Sequence, residues 1–190
     1  SMLRSSGFAS ATDSALQFNV AADPVSWRDI TSYARDVPLR QNVQIDIGLN
    51  GTPEQFTFSL NADAEGLNDF AITSRFQWKS NLVLQEISTN AALIDASTLL
   101  ADSTMPRLQQ LDAQFSGSVD LGNYQQGSGD LNITASQISR APYQVDQLSV
   151  KGSLDGSTAT LDLSLQENQQ QLAANLEVQQ LWDTRPSVRA

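Results

Sequence analysis

The amino-acid sequence predicts a mainly β protein, in which long antiparallel amphipathic strands form an extended sheet with one apolar face, together with two short α-helices. The main observation is strict alternation of apolar and polar residues over ten or more positions, which is typical of half-buried antiparallel strands. Alternation is clearest over residues 41–50, where Val43, Ile45 and Ile47 are separated by polar residues. Turn signals such as Asn-Gly-Thr-Pro at 50–53 interrupt these runs at regular intervals, as expected for hairpins.

The elements of the first half are predicted in the following order. Residues 1–13 are expected to be a tag remnant or a disordered lead, and a short alternating strand follows over 14–22. Asp23 and Pro24 supply an N-cap and a proline at the first helical position, so a helix is predicted over 24–36. Long strands are then expected over 40–51, 54–65, 69–79 and 82–92.

The second half repeats this order. A short helix is predicted over 95–102 and closed by Pro106, as Pro38 closes the first helix. Strands are then expected over 107–121, 129–138, 143–154, 157–167 and 170–179. The two prolines are about 68 residues apart, which indicates an internal repeat. The first repeat spans 14–92, the second spans 93–180, and 181–190 is interpreted as the truncated start of a further repeat; chance similarity within a β meander is the alternative.

Composition restricts the classes of function. The chain has 190 residues, a formal net charge of -10 and a sequence pI near 4.2, so it would repel phosphate backbones and nucleic acid is not an expected partner. It contains no histidine and no cysteine, which removes the commonest general base, the thiol nucleophile and the usual zinc ligands. We therefore expect no enzymatic activity, no cofactor and no metal site.

Carboxylates are the main remaining groups with catalytic potential. Asp120 with Asp130, or Asp146 with Asp162, would in principle serve glycoside hydrolysis, which needs two acids about 5 to 9.5 Å apart. These acids fall on the polar phase of strands or in turns, so a solvated outer face is the favoured interpretation. The segment 120–123 is the nearest candidate for a calcium loop, but it lacks the required spacing of acids and is interpreted as a turn.

The predicted apolar face is too large for two short helices to cover. A 12-residue strand is about 40 Å long, and about nine such strands make a sheet roughly 43 Å wide. The sheet must therefore fold over on itself, or a ligand, a partner or a neighbouring repeat must cover it. The residues predicted to line an apolar groove on this face are Val43, Ile45, Ile47, Phe56, Phe58, Leu60, Phe115, Val119, Leu131, Ile133, Val150, Leu161 and Leu163.

Three segments carry a resemblance to a known family. Residues 143–156 read Tyr-Gln-Val-Asp-Gln-Leu-Ser-Val-Lys-Gly-Ser-Leu-Asp-Gly, residues 93–100 read Leu-Ile-Asp-Ala-Ser-Thr-Leu-Leu, and residues 115–119 read Phe-Ser-Gly-Ser-Val. With the long amphipathic strands, these segments resemble the repeats of the TamB and AsmA-like family. The resemblance covers about residues 14–182.

The resemblance implies a segment of a large Gram-negative envelope protein that is anchored in the inner membrane and extends through the periplasm. It implies a sheet curled into a taco-like trough with an apolar concave face. Such a trough would shield phospholipid acyl chains during transport between membranes, or assist nascent outer-membrane β-strands together with an Omp85-type partner bound through other regions. The rival hypothesis is a structural or adhesive β-sandwich module of a surface protein without a ligand. Unpaired strand edges also predict that the chain dimerises in isolation.

Overall fold

The described part of the chain forms one twelve-stranded antiparallel sheet. The structure, a computed structural model, describes residues 2–10, 15–33, 40–100, 102–182 and 187–189. The strands are β1 Met2–Ser10, β2 Ala15–Val25, β3 Val43–Gly51, β4 Gln55–Ala64, β5 Leu67–Trp78, β6 Leu82–Asp95, β7 Arg107–Asp120, β8 Ser128–Arg140, β9 Tyr143–Asp155, β10 Thr158–Glu167, β11 Gln170–Gln179 and β12 Ser187–Arg189. Each strand pairs with its neighbours in sequence, so the order in the sheet is β1 to β12.

This architecture confirms the predicted fold class, because the protein is mainly β with an open antiparallel sheet and two short helices. The hairpins form where turn residues interrupt the alternation. Gly66 and Gly156 adopt φ values of 87° and 59° between consecutive strands, a conformation that glycine adopts at little cost. The strands of the second half match their predicted ranges to within two residues, whereas β6 continues three residues beyond its predicted end.

The two ends of the described chain form the edges of the sheet. Residues 2–10, expected to belong to a tag remnant or a disordered lead, instead form β1, which pairs with β2 from Met2 opposite Asp23 to Ser10 opposite Ala15. At the other edge, β12 pairs with β11 over three residues. Residues 183–186, part of the predicted start of a further repeat, lie outside the described residues.

The first helix, α1, spans Trp27–Tyr33 and begins later than predicted. The predicted N-cap at Asp23 and Pro24 was wrong because β2 continues through both residues to Val25, which pairs with Val43. Ser26 occupies the capping position instead: its side-chain oxygen accepts a hydrogen bond from the Arg28 amide at 3.3 Å. The last three residues of the predicted helix, 34–36, and the closing Pro38 lie outside the described residues.

The second helix, α2, spans Ala96–Leu99 and is shorter than the predicted 95–102. Asp95 is its N-cap, and the carboxylate accepts a hydrogen bond from the Thr98 amide at 3.1 Å. The last residue of α2, Leu99, is buried, and its carbonyl accepts a hydrogen bond from the Arg40 amide at 2.9 Å. Because Arg40 lies just before β3 and α2 follows β6, this helix covers the ends of the strands between them.

Burial is shallow throughout the described chain. The buried apolar residues are mostly small, and they are Ala22, Val43, Ala62, Val83, Ala91, Leu99 and Ala135. None of the larger side chains described is fully buried. The solvent-accessible surface is 12360 Å², whereas a compact monomer of this mass exposes about 8,900 Å². The excess is expected because the described part of the chain offers only two short α-helices to cover the sheet.

Candidate functional site

One face of the sheet carries an apolar row that crosses ten strands without interruption of the register. We call it the Ile47 row. Nine of its ten side chains are half-buried, Ala174 is exposed, and all but one are aliphatic. In order from β2 to β11 the row consists of Val20, Ile47, Leu60, Ile72, Thr89, Ala113, Ile133, Val150, Leu163 and Ala174.

Two further rows lie on the same face, on either side of the Ile47 row. The Phe58 row consists of Phe18, Leu49, Phe58, Ser74, Ile87, Phe115, Leu131, Gly152, Leu161 and Leu176. The alanine-containing row consists of Ala22, Ile45, Ala62 and Phe70 on β2 to β5, followed by Ala91, Leu111, Ala135, Leu148, Leu165 and Leu172 on β6 to β11. These three rows together are called the apolar face below.

The opposite face carries polar side chains at the intervening positions. The row that lies between the Ile47 row and the Phe58 row on this side consists of Asn19, Gly48, Ser59, Thr73, Ser88, Gln114, Asn132, Lys151, Asp162 and Asn175. Amide and hydroxyl groups predominate, and neighbouring side chains hydrogen-bond, as Asn175 Nδ2 does to Asp162 Oδ1 at 2.6 Å. An ion pair of 3.3 Å joins Arg75 to Glu86 on this face. The sheet therefore separates a hydrated side from an apolar side.

The structure places all thirteen predicted groove residues on the apolar side of the sheet. Nine belong to the two rows named after Ile47 and Phe58. Ile45 lies in the alanine-containing row, and Val43 lies nearer the helices, opposite Ala64. Phe56 and Val119 lie toward the other ends of their strands, opposite Phe76 and Leu84 respectively. The sequence pattern therefore identified residues that lie together, although their contact with a ligand remains a prediction.

Sequence reasoning did not select two polar residues of the apolar face, Ser74 and Thr89. They are the only residues with polar side chains in the three rows. Ser74 is only 6% exposed. The signal was available, because Ser74 lies midway between Ile72 and Phe76 in the apolar phase of β5, but hydrophobicity alone does not select such a residue.

Two aromatic contacts stabilise the apolar side of the sheet near β4 to β8. The rings of Phe56 and Phe76 stack at a centroid distance of 5.4 Å and an interplanar angle of 24°. The Phe115 ring lies against Gly129, where an added Cβ would come within 2.6 Å of the ring atom Cζ. The same Cβ would come within 2.6 Å of the Ser116 carbonyl oxygen. Glycine at position 129 therefore allows the ring to lie close against the neighbouring strand.

The carboxylate pairs considered for glycoside hydrolysis are not brought together. Ser116 pairs with Asp130, and Asp120 lies four residues further along β7, which corresponds to about 13 Å. Lys151 pairs with Asp162, and Asp146 lies five residues further along β9, or about 17 Å. Both separations exceed the range of about 5 to 9.5 Å that the two acids require.

Asp120 instead stabilises the turn that follows β7. Its carboxylate accepts hydrogen bonds from Asn81 Nδ2 at 3.0 Å and from the Gly122 amide at 2.8 Å. The Asn81 side chain, followed by the Gly122 amide, holds the pKa of Asp120 below its ordinary value. Among the described residues, no three acidic side chains are grouped as a metal site would require.

Neither helix in the described ranges has the length and apolarity needed to cross a membrane. No family model matches this chain, and no curated protein and no solved structure is significantly similar to it. The site is therefore described from the structure alone. It is an open antiparallel sheet with one continuous apolar face and one hydrated face.

Proposed function

We propose that this chain is a periplasmic segment of a large envelope protein of the TamB and AsmA-like type, and that its apolar face shields phospholipid acyl chains during transport between membranes. The observation that carries the proposal is the continuity of the Ile47 row and the Phe58 row from β2 to β11. Ten strands at 4.8 Å spacing give an apolar path about 43 Å long. The motif resemblance of residues 93–100, 115–119 and 143–156 supports the assignment to this type.

Shallow burial is the second support. A closed structural core places large apolar side chains out of contact with water, whereas no large side chain among the described residues is fully buried. Leu172 on β11 is 68% exposed and Phe18 on β2 is 46% exposed, although both belong to the apolar face. An apolar face of this extent that is in contact with water favours coverage by an apolar ligand.

The energetics suit a ligand without specific polar contacts. Each methylene group that leaves water for an apolar surface contributes about 0.8 kcal/mol, so eight methylene groups contribute about 6 kcal/mol before the cost of ordering the chain. A surface of aliphatic side chains binds different acyl chains with similar affinity. Movement along the aliphatic parts of the rows then requires no directional bond to be broken.

The test is extraction of the purified, folded protein with organic solvent, followed by mass spectrometry of the extract for phospholipid. A β-sandwich protein of similar acidity and size, purified in the same way, is the control. We expect phospholipid to be enriched in the extract of this protein. Equal, background amounts in both extracts would contradict the proposal and favour a structural module.

A further inference from the structure

We propose that Ser74 and Thr89 form a polar station on the apolar face, which receives the ester carbonyl group of an acyl lipid. This inference rests on the proposed function and specifies where along the path the polar end of a lipid tail is held. The two residues lie on the adjacent central strands β5 and β6. Ser74 pairs with Ile87 and Thr89 pairs with Ile72, so the hydroxyl-bearing side chains are diagonal neighbours.

Ser74 and Thr89 are surrounded by apolar residues on this face. Every other position in the Ile47 row, the Phe58 row and the alanine-containing row is aliphatic, aromatic or glycine. Both neighbours of Ser74 across the sheet, Phe58 and Ile87, are large and apolar. A hydroxyl that leaves water without a partner is unfavourable, so these two hydroxyl groups require a compensating interaction when an acyl chain covers them.

The Ser74 hydroxyl is available for that interaction. Ser74 is 94% buried as a residue, since its exposure is 6%, yet its hydroxyl has no hydrogen bond to another described residue. Among the described residues that are not exposed, every side-chain polar atom that lacks a hydrogen-bond partner still has contact with solvent. The hydroxyl is therefore reachable from the apolar face. It lies below the level of its larger neighbours, where a small acceptor group approaches more easily than a headgroup.

The chemistry selects a carbonyl oxygen as the partner. Serine and threonine hydroxyl groups donate one hydrogen bond each, and they need an acceptor where apolar side chains surround them. In a diacyl phospholipid, the acceptor nearest the tails is the ester carbonyl. A dialkyl ether phospholipid has the same tails and headgroup but no carbonyl, so the two lipids differ only in the group that the station would recognise.

The experiment is a competition on the full chain between a diester phosphatidylcholine and its diether analogue with chains of equal length. The retained lipids are quantified by mass spectrometry, and folding of each variant is checked by circular dichroism. We expect about fivefold enrichment of the diester, the factor that corresponds to one ordinary net hydrogen bond. In the double variant Ser74→Ala and Thr89→Val, we expect the ratio of diester to diether to fall to one. Ser88→Ala, on the opposite face of β6, is the matched control and should keep the wild-type ratio.

The outcomes separate this inference from the function on which it rests. Retention of both lipids in equal amounts by the unaltered protein overturns the station and leaves the apolar path intact. A diester preference that persists in the double variant also overturns it, because another group would then recognise the carbonyl. Retention of neither lipid overturns the proposed function and this inference with it.

Discussion

Replacement of Phe58 by aspartate tests the proposed acyl-binding surface most directly. Phe58 lies in the row between Leu49 on β3 and Ser74 on β5, and it is half-buried. A ring in this position offers a bound acyl chain about 50 Å² of apolar area, which corresponds to about 1.3 kcal/mol or roughly tenfold in affinity. An acyl chain that crosses the new carboxylate must also displace its water, at about 2 kcal/mol or more. We expect Phe58→Asp to lower lipid retention by two orders of magnitude.

The Phe58→Asp variant is expected to remain folded because position 58 lies on an open sheet. Substitution of a sealed core phenylalanine costs about 3 to 5 kcal/mol and often prevents folding. The introduced carboxylate at position 58 keeps contact with water when no lipid is bound, so a smaller loss of about 2 kcal/mol in the free energy of unfolding is expected. Chemical denaturation measures that loss, and mass spectrometry of the organic extract measures retention.

The chain offers a matched control one residue away. Thr57→Asp introduces the same charge on the opposite face, opposite Arg75 on β5, and should leave retention unchanged. Leu163→Asp and Ser164→Asp form an equivalent pair on β10, about 29 Å from β4 at six strand spacings. A folded Phe58→Asp or Leu163→Asp variant that retains as much lipid as the wild type would show that these residues do not line the binding surface.

Three further predictions concern the fold. Gly129→Val should destabilise the protein by about 3 kcal/mol in chemical denaturation, because the added Cβ collides with the Phe115 ring; a loss no greater than that of the adjacent Ser128→Val would refute this packing. Asp95→Ala should cost about 1 kcal/mol at pH 7 by removing the N-cap of α2. The hydrogen bond from Ser97 lowers the pKa of Asp95 below its ordinary value, so the stabilisation is complete above the unfolded pKa and lost as pH falls through the folded pKa. If the free-energy cost of Asp95→Ala stays constant down to pH 2, the Asp95 carboxylate does not stabilise α2 in this way. The strands β1 and β12, which are the edges of the sheet within the described residues, should promote association of the chain. A monodisperse monomer at all concentrations in light scattering would argue against this.

The sequence predicted the strands well because alternation is a local signal. Every predicted strand from 40 to 179 is present, and the thirteen groove residues lie on one side of the sheet. The irregularities were not predictable in the same way. Asp69, Gln110 and Gln137 adopt φ values of 51°, 52° and 49°, and shifts in register accompany the irregularity in β7. Glutamine carries no local preference for this conformation, and although aspartate adopts it more often than most residues, the sequence contains many aspartates and does not single out Asp69.

The helix boundary and the two polar residues of the apolar face were missed for different reasons. Asp23 and Pro24 form a good local helix start, but pairing of β2 with β3 as far as Val25 overrides that preference. Ser74 and Thr89 were missed because a search for apolar residues passes over a polar residue in the apolar phase. Only the register, which makes these two residues diagonal neighbours on β5 and β6, gives them a common significance.

The uneven surface of the apolar face indicates which kind of molecule covers it. Three rows of ten strands give the apolar face a footprint on the order of 850 Å², and most of its side chains keep partial contact with solvent. The surface is uneven, because the Phe58 row passes from phenylalanine to Ser74 on adjacent strands and later from Leu131 to Gly152 and Leu161. A rigid partner would need a complementary shape at each of these steps to exclude water. A flexible acyl chain follows such relief by rotation about its own bonds, so the uneven surface favours lipid tails over a second folded surface as the cover.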